Sequence, residues 1–415
     1  MKTVLTPSLR FKDDNESDYS SWVISNVGMH TEQLNGYAFK SHDISESSEG
    51  YKLMRGINIT EGRIRHSVKI DRFYNGSVSK IEKYFLQEND LVIGMDGSKV
   101  GKNVALINAE DSGSLLVQRV ARLRPKKGTS IKYIYQHITS AKFQRYVDIV
   151  NTSSAIPHIS KKQIDDYKLS YPSFEEQTKI ASFLTSVDSR ISQLTEKHRL
   201  LKEYKKGVMQ QIFSQQLRFK DEDGKVFPEW EVFRLADIAK PIKRKAKVVI
   251  ENVMTISAGK GFLHQKERFS QVIAGTSLDK YTHLKKGEFA YNRGNSKSYT
   301  YGCIYLLNDS EALVPFVYRS FGLEKGVPDF YEQLFGLKYL DRQLRRLISS
   351  SARMDGLLNI GEKDFYQVTV PFPHEAEQQK IAQFLQSIDK KIDAVTQQVE
   401  QTKQFKKGLL QQMFV

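Results

Sequence analysis

The chain contains one long internal repeat, and this repeat constrains the fold more than any other feature of the sequence. At an offset of 201 residues, segment 172–213 aligns without a gap with segment 373–414, and the two share 19 identical residues. A second, shorter repeat has an offset of 208. The pentapeptide LRFKD occurs at 9–13 and again at 217–221, and a tryptophan follows in each copy. Such internal similarity indicates a duplicated architecture, in the order globule, helix, globule, helix.

Each copy of the long repeat carries a heptad pattern of apolar residues. Five heptads predict a helix of about 38 residues, roughly 57 Å long, which is too long for an ordinary core. The two helices are therefore expected to pair with each other. Parallel pairing is one alternative; antiparallel pairing is favoured because it places one globule at each end of the pair, related by a pseudo-twofold axis. The predicted seam consists of Ile180, Leu184, Val187, Ile191, Leu194, Leu201, Val208, Ile381, Leu385, Ile388, Ile392, Val395 and Leu409.

Four polar residues interrupt this apolar seam, namely His198, Lys205, Thr402 and Lys406. Polar residues at seam positions usually fix the register or the orientation of a coiled coil at some cost in stability. A catalytic histidine or lysine is the alternative, but no constellation of partner residues surrounds either one in the sequence. We therefore interpret the four as register-setting residues.

Composition restricts the class of protein. A length of 415 residues suggests two or three domains, and 40% hydrophobic residues indicate a folded chain rather than a disordered one. The single cysteine, Cys303, excludes a disulfide framework and any zinc site built from several thiolates of this chain. The first thirty residues contain no apolar run long enough for a signal peptide or a membrane span, so we expect a cytoplasmic protein without membrane contact.

The formal net charge is +15, and two separate blocks hold most of the excess. Residues 51–150 carry 18 basic and 9 acidic groups, whereas residues 216–360 carry 24 and 17. Basic surfaces bind polyanions through counterion release, so two blocks on one chain predict two contacts with one long nucleic acid. The alternative is that these residues form an ordinary solvated surface.

The globular segments show a mixed α+β pattern. In each, two apolar strands flank a polar loop: strands 91–93 and 104–107 around loop 94–103, and strands 289–291 and 303–307 around loop 292–302. A helix is predicted near the end of each globule, from Ile131 to Val150 and from Phe330 to Ile348.

Basic and amide side chains in these loops can donate hydrogen bonds to phosphates and to base edges. A plain hairpin loop is the alternative for each residue taken singly. Weaker candidates outside these two loops are Arg55, Arg63, Arg65, Arg119 and Lys260. Arg342, Arg345 and Arg346 could form only the solvated face of a helix. The predicted DNA-binding residues are Arg55, Lys99, Lys102, Arg119, Lys260, Arg293, Asn295 and Lys297.

Motifs for catalysis are not visible in the sequence. The loop GSKVGKN resembles a phosphate-binding P-loop, but Asp96 and Asn103 occupy the positions that require glycine and serine or threonine. The chain has no Asn-Pro-Pro-aromatic tetrapeptide, no glycine-rich adenosylmethionine motif, no HExxH and no GxSxG. Pro328-Asp329 is followed by no acidic-x-Lys within about thirty residues, so the motif of a metal-dependent nuclease is not visible. We expect no catalytic residue, metal site or bound cofactor in this chain.

Three features carry a family resemblance. They are the repeated helix sequences EEQTKIASFL and AEQQKIAQFL, the helix ends YKKGVMQQIF and FKKGLLQQMF, and the segment LRFKDEDGKVFPEW, which begins the second copy of the globule. The chain resembles the specificity subunits of type I restriction-modification systems over its whole length. The resemblance implies a first target recognition domain at 1–158, a central conserved helix at 159–215, a second target recognition domain at 216–360 and a C-terminal conserved helix at 361–415.

The resemblance also implies function and partners. Such a subunit has no catalytic activity and reads a bipartite site in double-stranded DNA, one domain for each half, while the paired helices set the spacing. It recruits two methyltransferase subunits and, for cleavage, restriction subunits. S-adenosylmethionine then belongs to the methyltransferase, and ATP and Mg²⁺ belong to the restriction subunit. Recognition domains vary greatly in this family, so no contact residue is carried over.

Two other readings of the sequence are open. The chain could be an enzyme that methylates or cuts DNA through an unrecognised site. It could also be a coiled-coil regulator that binds DNA as a dimer, although this chain duplicates its fold internally instead of repeating it through dimerisation.

Overall fold

A computed structural model describes residues 7–151, 157–268, 275–348 and 357–414. The chain divides into two compact units: unit 1 is Met1–Glu196 with Gln397–Val415, and unit 2 is Lys197–Thr396. Each unit thus combines one globular segment with parts of both repeated segments. The boundaries of the four domains predicted from the sequence stay a prediction.

Unit 1 is built mainly from short strands. Its 3₁₀ helices are Ser41–Asp43, Gly56–Asn58 and Glu82–Tyr84. Its strands are β1 (Val23–Asn26), β2 (Thr31–Asn35), β3 (Ile44–Ser45), β4 (Tyr51–Met54), β5 (Ile59–Thr60), β6 (Arg63–Ile64), β7 (Phe73–Tyr74), β8 (Leu91–Gly94), β9 (Val104–Leu106), β10 (Leu115–Leu116), β11 (Val120–Pro125) and β12 (Lys168–Tyr171). Its helices are α1 (Val27–His30), α2 (Ile131–Ile138), α3 (Ala141–Val150), α4 (Lys161–Asp166) and the first part of α5 (Phe174–Phe213).

Unit 2 has the same mixed composition, with one 3₁₀ helix at Gly275–Lys280. Its strands are β13 (Glu231–Arg234), β14 (Ala239–Pro241), β15 (Met254–Ser257), β16 (Gly261–His264), β17 (Thr282–Lys285), β18 (Phe289–Asn292), β19 (Cys303–Leu306), β20 (Glu311–Val314), β21 (Arg319–Leu323) and β22 (Thr369–Phe372). Its helices are α6 (Leu235–Ile238), α7 (Gln265–Arg268), α8 (Pro328–Gly336), α9 (Asp341–Leu347), α10 (Glu362–Tyr366) and the first part of α11 (Glu375–Met413).

A four-stranded antiparallel sheet forms the centre of each unit. The strand order is β2-β11-β8-β9 in unit 1 and β14-β21-β18-β19 in unit 2. Because side chains alternate across a strand, Leu91 and Ile93 pack into one apolar cluster with the helices, whereas Val92 packs into a second cluster on the opposite face. Both faces of β8 are therefore buried, which explains its uninterrupted apolar sequence.

Each unit contains an equivalent pair of antiparallel strands, and the two pairs have the same register. Val23 of β1 lies opposite Tyr171 of β12, and Glu231 of β13 lies opposite Phe372 of β22. These are the same positions at the offsets of 208 and 201 found in the sequence. The predicted internal repeat and mixed α+β fold are confirmed.

The loops and long helices lie where the sequence predicted them, but the predicted helix in each globule is wrong in one respect. Residues 131–150 form two helices, because the Ser140 side chain accepts a hydrogen bond from the Phe143 amide and starts α3. Residues 330–348 are likewise divided between α8 and α9, with Lys338 at a φ of 59° in the connection.

The N-terminal segment of each repeat is tied to the end of a long helix. In unit 1 the Leu9 amide donates to the Gln412 carbonyl at 3.1 Å, and in unit 2 the Leu217 amide donates to the Gln211 carbonyl at 3.0 Å. Leu9 corresponds to Leu217, and Gln412 corresponds to Gln211, at the two repeat offsets. The contact is thus duplicated as well.

Candidate nucleic-acid interface

Three predicted DNA-binding residues of unit 1 lie where two adjacent strands of its central sheet, β8 and β11, end and begin. Val120, the first residue of β11, pairs with Gly94, the last residue of β8, so Arg119 lies beside the loop that carries Lys99 and Lys102. All three side chains are exposed. Their cationic groups can therefore reach a ligand outside the unit.

Acidic partners hold two of these cations loosely. Arg119 Nη1 lies 3.1 Å from Asp96 Oδ2, and Lys99 Nζ lies 3.3 Å from Glu61 Oε1. The side chains of Arg119 and Lys99 are 73% and 63% exposed. Exposed ion pairs contribute little to stability, so a phosphate can replace the carboxylate as partner at low cost.

The other candidates of unit 1 differ in accessibility. Arg55 is half-buried, and its Nη1 donates to the Ile70 carbonyl at 3.3 Å. Arg65 is exposed, but its Nε donates to the Ile57 carbonyl at 2.8 Å. Arg63 is exposed in β6. The backbone contacts give Arg55 and Arg65 a structural role that the sequence did not reveal.

In unit 2 the structure brings two candidate loops together. Lys260 lies in the turn between β15 and β16, and this turn is held by a hydrogen bond of 2.8 Å from the Gly259 amide to the Tyr305 hydroxyl. A side chain added at Gly259 would meet the ring of Tyr299, which belongs to the loop between β18 and β19. Lys260 and the loop residues Asn295 and Lys297 are exposed.

Arg293 is placed differently from its neighbours in this loop. Its side chain is half-buried, and its guanidinium donates to the carbonyls of Leu358 at 3.4 Å and Val317 at 3.2 Å. These bonds direct part of the guanidinium toward the backbone of its own unit. Arg342, Arg345 and Arg346 lie exposed on α9.

The long helices pair within each unit. In unit 1, Lys406 Nζ lies 2.6 Å from Asp188 Oδ1, and in unit 2, Lys205 Nζ lies 2.6 Å from Asp389 Oδ1. Partner numbers fall on α11 as they rise on α5, so the pairing is antiparallel. Of the polar seam residues, the two lysines thus form ion pairs, and His198 and Thr402 are half-buried. Of the thirteen seam residues, Ile191 and Leu201 are half-buried and the other eleven are buried.

A buried carboxylate, which was not predicted from the sequence, lies at the start of each long helix. Glu176 is fully buried and accepts hydrogen bonds from Arg10 Nε at 2.8 Å and from Trp22 Nε1 at 3.0 Å. In unit 2, Glu377 accepts from Arg218 Nε at 2.9 Å and from Trp230 Nε1 at 2.9 Å. The two repeat offsets contained this signal, because they repeat the arginine and tryptophan together with the glutamate.

Two acid-base groups outside the basic loops have strongly perturbed pKa values. Burial lowers the pKa of His137 to about 3, and burial together with the nearby Asp329 carboxylate raises the pKa of Glu332 to about 7. Within the described ranges, no three His, Cys, Asp or Glu side chains are grouped so that they could hold a metal ion. No helix in the same ranges is long and apolar enough to cross a membrane.

The duplicated units, with their basic loops and paired helices, match a known family. The family model described as "Type I restriction modification DNA specificity domain" covers residues 32–202 and 228–404, one match for each copy of the repeat. The chain belongs to the type I restriction-modification specificity subunits. The resemblance inferred from the helical motifs is confirmed.

Individual specificity subunits are similar over most of this chain. The type I restriction enzyme MjaVIII specificity subunit of Methanocaldococcus jannaschii is 25% identical over 359 residues, which cover 79% of each chain. The putative MjaX specificity subunit of the same organism is 23% identical over 399 residues, covering 87% of this chain and 85% of that one. A crystal structure of the S subunit from M. genitalium has the same fold, with a TM-score of 0.61, 15% identity and 99% of each chain covered.

Proposed function

We propose that this specificity subunit is a non-catalytic DNA reader in which each unit recognises one half of a bipartite site in double-stranded DNA. The observation that carries the proposal is the duplication itself. It extends to individual hydrogen bonds, such as those of Glu176 and Glu377, and to the strand register of both units. A protein that keeps two copies of one framework, but different loops on each, is suited to reading two different short sequences.

The basic loops are the proposed contacts. Lys99, Lys102 and Arg119 serve one half-site in unit 1, and Lys260 and Lys297 serve the other in unit 2. Lysines supply sequence-independent contacts to phosphates, whereas arginine and asparagine can form paired hydrogen bonds with guanine or adenine edges in the major groove. On this basis Arg119 and Asn295 are the stronger candidates for base contacts. Arg55 and Arg293 are proposed contacts too, although carbonyl groups already engage part of each guanidinium.

The paired helices are proposed to set the distance between the half-sites. The helix α5 contains 40 residues and α11 contains 39, so each is about 60 Å long at 1.5 Å per residue. An ion pair fixes the register in each unit, at Asp188 with Lys406 and at Lys205 with Asp389. A rod with a fixed register can act as a spacer of constant length.

The long helices are also the proposed docking surface for two methyltransferase subunits. Tyr204 on α5 and Phe405 on α11 occupy equivalent positions in the repeat, and they are 54% and 56% exposed. Large exposed aromatic side chains are frequent anchors of protein interfaces. Two equivalent anchors on one chain favour two copies of the same partner. Restriction subunits would join the full complex for cleavage.

The chemistry of methylation and cleavage is assigned to those partners. We propose that S-adenosylmethionine binds to the methyltransferase subunits and that ATP and Mg²⁺ bind to the restriction subunits, with no cofactor held by this chain. The assembly would operate in the cytoplasm.

The proposal is tested by co-expressing the chain with a methyltransferase subunit and mapping methylated adenines across a genome. We expect methylation at a bipartite sequence, and none when either chain is expressed alone. Exchanging residues 51–150 for those of a relative should change the bases of one half-site, and exchanging residues 250–350 should change the other. Methylation by this purified chain alone, or a single exchange that alters both halves, would contradict the proposal.

A further inference from the structure

Unit 2 contains a cavity whose lining is unusually rich in positive charge. Its volume is about 430 Å³, within the range of small-ligand sites. Four cationic side chains line it, whereas Glu362 is the single carboxylate among its lining residues. These four are Lys243, Lys245, Arg293 and Arg319.

Four buried polar atoms on the lining residues have no hydrogen-bond partner among the described parts of the chain. They are Arg293 Nε, one terminal nitrogen of Arg319, Ser320 Oγ and the Tyr366 hydroxyl. Ser320 is only 4% exposed and Tyr366 only 9%. Buried polar groups in proteins nearly always have a partner, because an unpartnered one loses its hydration without compensation. The two arginine nitrogens can only donate, so their missing partner is an acceptor, and the two hydroxyls can donate to the same acceptor.

The cavity is pre-formed, because other hydrogen bonds hold the side chains of its two arginines in position. Arg293 donates to the carbonyls of Val317 and Leu358, and Arg319 donates to the carbonyl of Ile360. These bonds fix both guanidinium groups in place and leave Arg293 Nε and one terminal nitrogen of Arg319 without a partner. Burial and the neighbouring Arg293 charge lower the pKa of Arg319, as expected for two cations held together without an anion between them.

The matching positions of unit 1 are apolar. Arg319 lies opposite Tyr291, the third residue of β18, and the corresponding neighbour of Ile93 in β8 is Ala121. The residue that follows each strand is Arg293 in unit 2 and Met95 in unit 1. Ala121 and Met95 are core residues with 0% and 3% exposure. The framework therefore does not require arginine at these two places.

We infer that this cavity of unit 2 is a phosphate-binding site, formed by Arg293, Arg319, Ser320 and Tyr366. A phosphate offers several strong acceptors to donors from the loop after β18, from β21 and from α10, and its negative charge compensates the clustered cations. We assign the phosphate to the DNA backbone, because Arg293 begins the loop that carries the predicted base-reading residues. That assignment of the source rests on the proposed DNA-reading function, whereas the site itself does not.

The test uses two minimal substitutions in the full chain, Tyr366→Phe and Ser320→Ala, each of which removes one hydroxyl. Without a ligand, loss of an unpartnered buried hydroxyl should leave the melting temperature unchanged or raise it. Inorganic phosphate should raise the melting temperature of the wild type above that in chloride at equal ionic strength. Each substitution should weaken phosphate binding about tenfold or more. The matched control is Tyr171→Phe, because the Tyr171 hydroxyl is also buried without a partner but lies in unit 1.

Duplex DNA supplies the second arm of the experiment. If the backbone provides the phosphate, Tyr366→Phe should weaken binding to all duplex sequences by the same factor, whereas Tyr171→Phe should not. If phosphate binding is lost while DNA affinity is unchanged, the site takes a free phosphate. The inference is overturned if phosphate stabilises the wild type no more than chloride does and Tyr366→Phe binds DNA normally. It is also overturned if Tyr171→Phe shows the same losses. Failure of the wild type to bind DNA would contradict the proposed function without affecting the phosphate arm.

Discussion

Lys205 and Asp389 are 184 residues apart in the sequence, yet the Lys205 ammonium lies 2.6 and 2.7 Å from the two carboxylate oxygens of Asp389. Gln333 of α8 also donates to Asp389, at 3.3 Å. The equivalent aspartate, Asp188, accepts from Lys406 and from Gln136 of α2. Each aspartate therefore connects the helix pair with the globular part of its own unit.

Breaking one of these ion pairs should destabilise its unit. We expect Lys205→Met to lower the free energy of unfolding by about 1 kcal/mol, because it leaves Asp389 only partly solvated and without its cation. A double-mutant cycle with Asp389→Asn in urea unfolding measures the coupling. Lys206→Met is the control, since Lys206 is exposed on the same turn of the helix. Equal losses for both lysines would show that the ion pair contributes nothing.

The stability of unit 2 should decrease with rising pH because of Glu332. Burial and Asp329 raise the pKa of Glu332 from 4.5 to about 7. Between these two values the folded chain holds a proton that the unfolded chain releases, so stability falls as the pH rises through this window. We expect Glu332→Gln to be more stable than the wild type by roughly 3 kcal/mol at pH 8, and nearly equal to it at pH 4.5. The measurement is urea unfolding across this range.

The control for this pH dependence is Glu324→Gln, which removes an exposed carboxylate of the same unit that pairs with Lys240. It should not flatten the pH dependence. A difference between Glu332→Gln and the wild type that is the same at pH 4.5 and pH 8 would refute the role of this proton.

The lysines of the loop between β8 and β9 should contribute phosphate contacts. We expect the double substitution Lys99→Ala with Lys102→Ala to weaken DNA binding by a similar factor for all sequences. It should reduce the slope of log K against log salt by about 2, one contact for each lysine. Titrations at several salt concentrations measure this slope. The charge-matched control is the double substitution Lys390→Ala with Lys391→Ala, at two exposed positions of α11. An equal change of slope for this control would show that the loop lysines do not contact DNA.

The paired helices should act as a ruler. Inserting one heptad after Leu194 and another after Val395 keeps both seams, and both insertions fall between the two ion pairs. The rod becomes about 10 Å longer, which corresponds to roughly three base pairs of duplex DNA. Methylation mapping should then show the same half-sites separated by a wider gap. A folded variant that still methylates sites at their original spacing would show that the helices do not determine it.

The sequence predicted the duplicated framework well because the repeat occurs in the residues that hold it together. The heptads that begin at Ile180 and Ile381, for example, form a periodic apolar stripe along each helix. A stripe of that length can be buried in few ways other than by pairing of the helices. The break between α2 and α3 was not predicted, because it depends on one capping side chain, Ser140, within a continuous apolar pattern.

The candidate interface was less predictable, because charge in a sequence does not reveal which donors are already used. Arg293 and Lys297 are equally basic loop residues, yet the first donates to two carbonyls and the second is exposed. The cationic cavity likewise depends on Arg319, which lies within a strand, and on Tyr366, which lies 47 positions further along the chain. Only the fold brings them together.

The bond from Leu9 to Gln412 has its counterpart within the continuous stretch from Gln211 to Leu217. The same bond thus forms at two equivalent crossings between a long helix and an LRFKD segment, once between residues 403 positions apart and once between residues six positions apart. A circular permutant, opened between Gln215 and Gln216 and joined from Phe414 back to Pro7 by a short linker, would preserve the bonding of both crossings. The order of the two units along the chain is then not required by the bonds that hold each unit together.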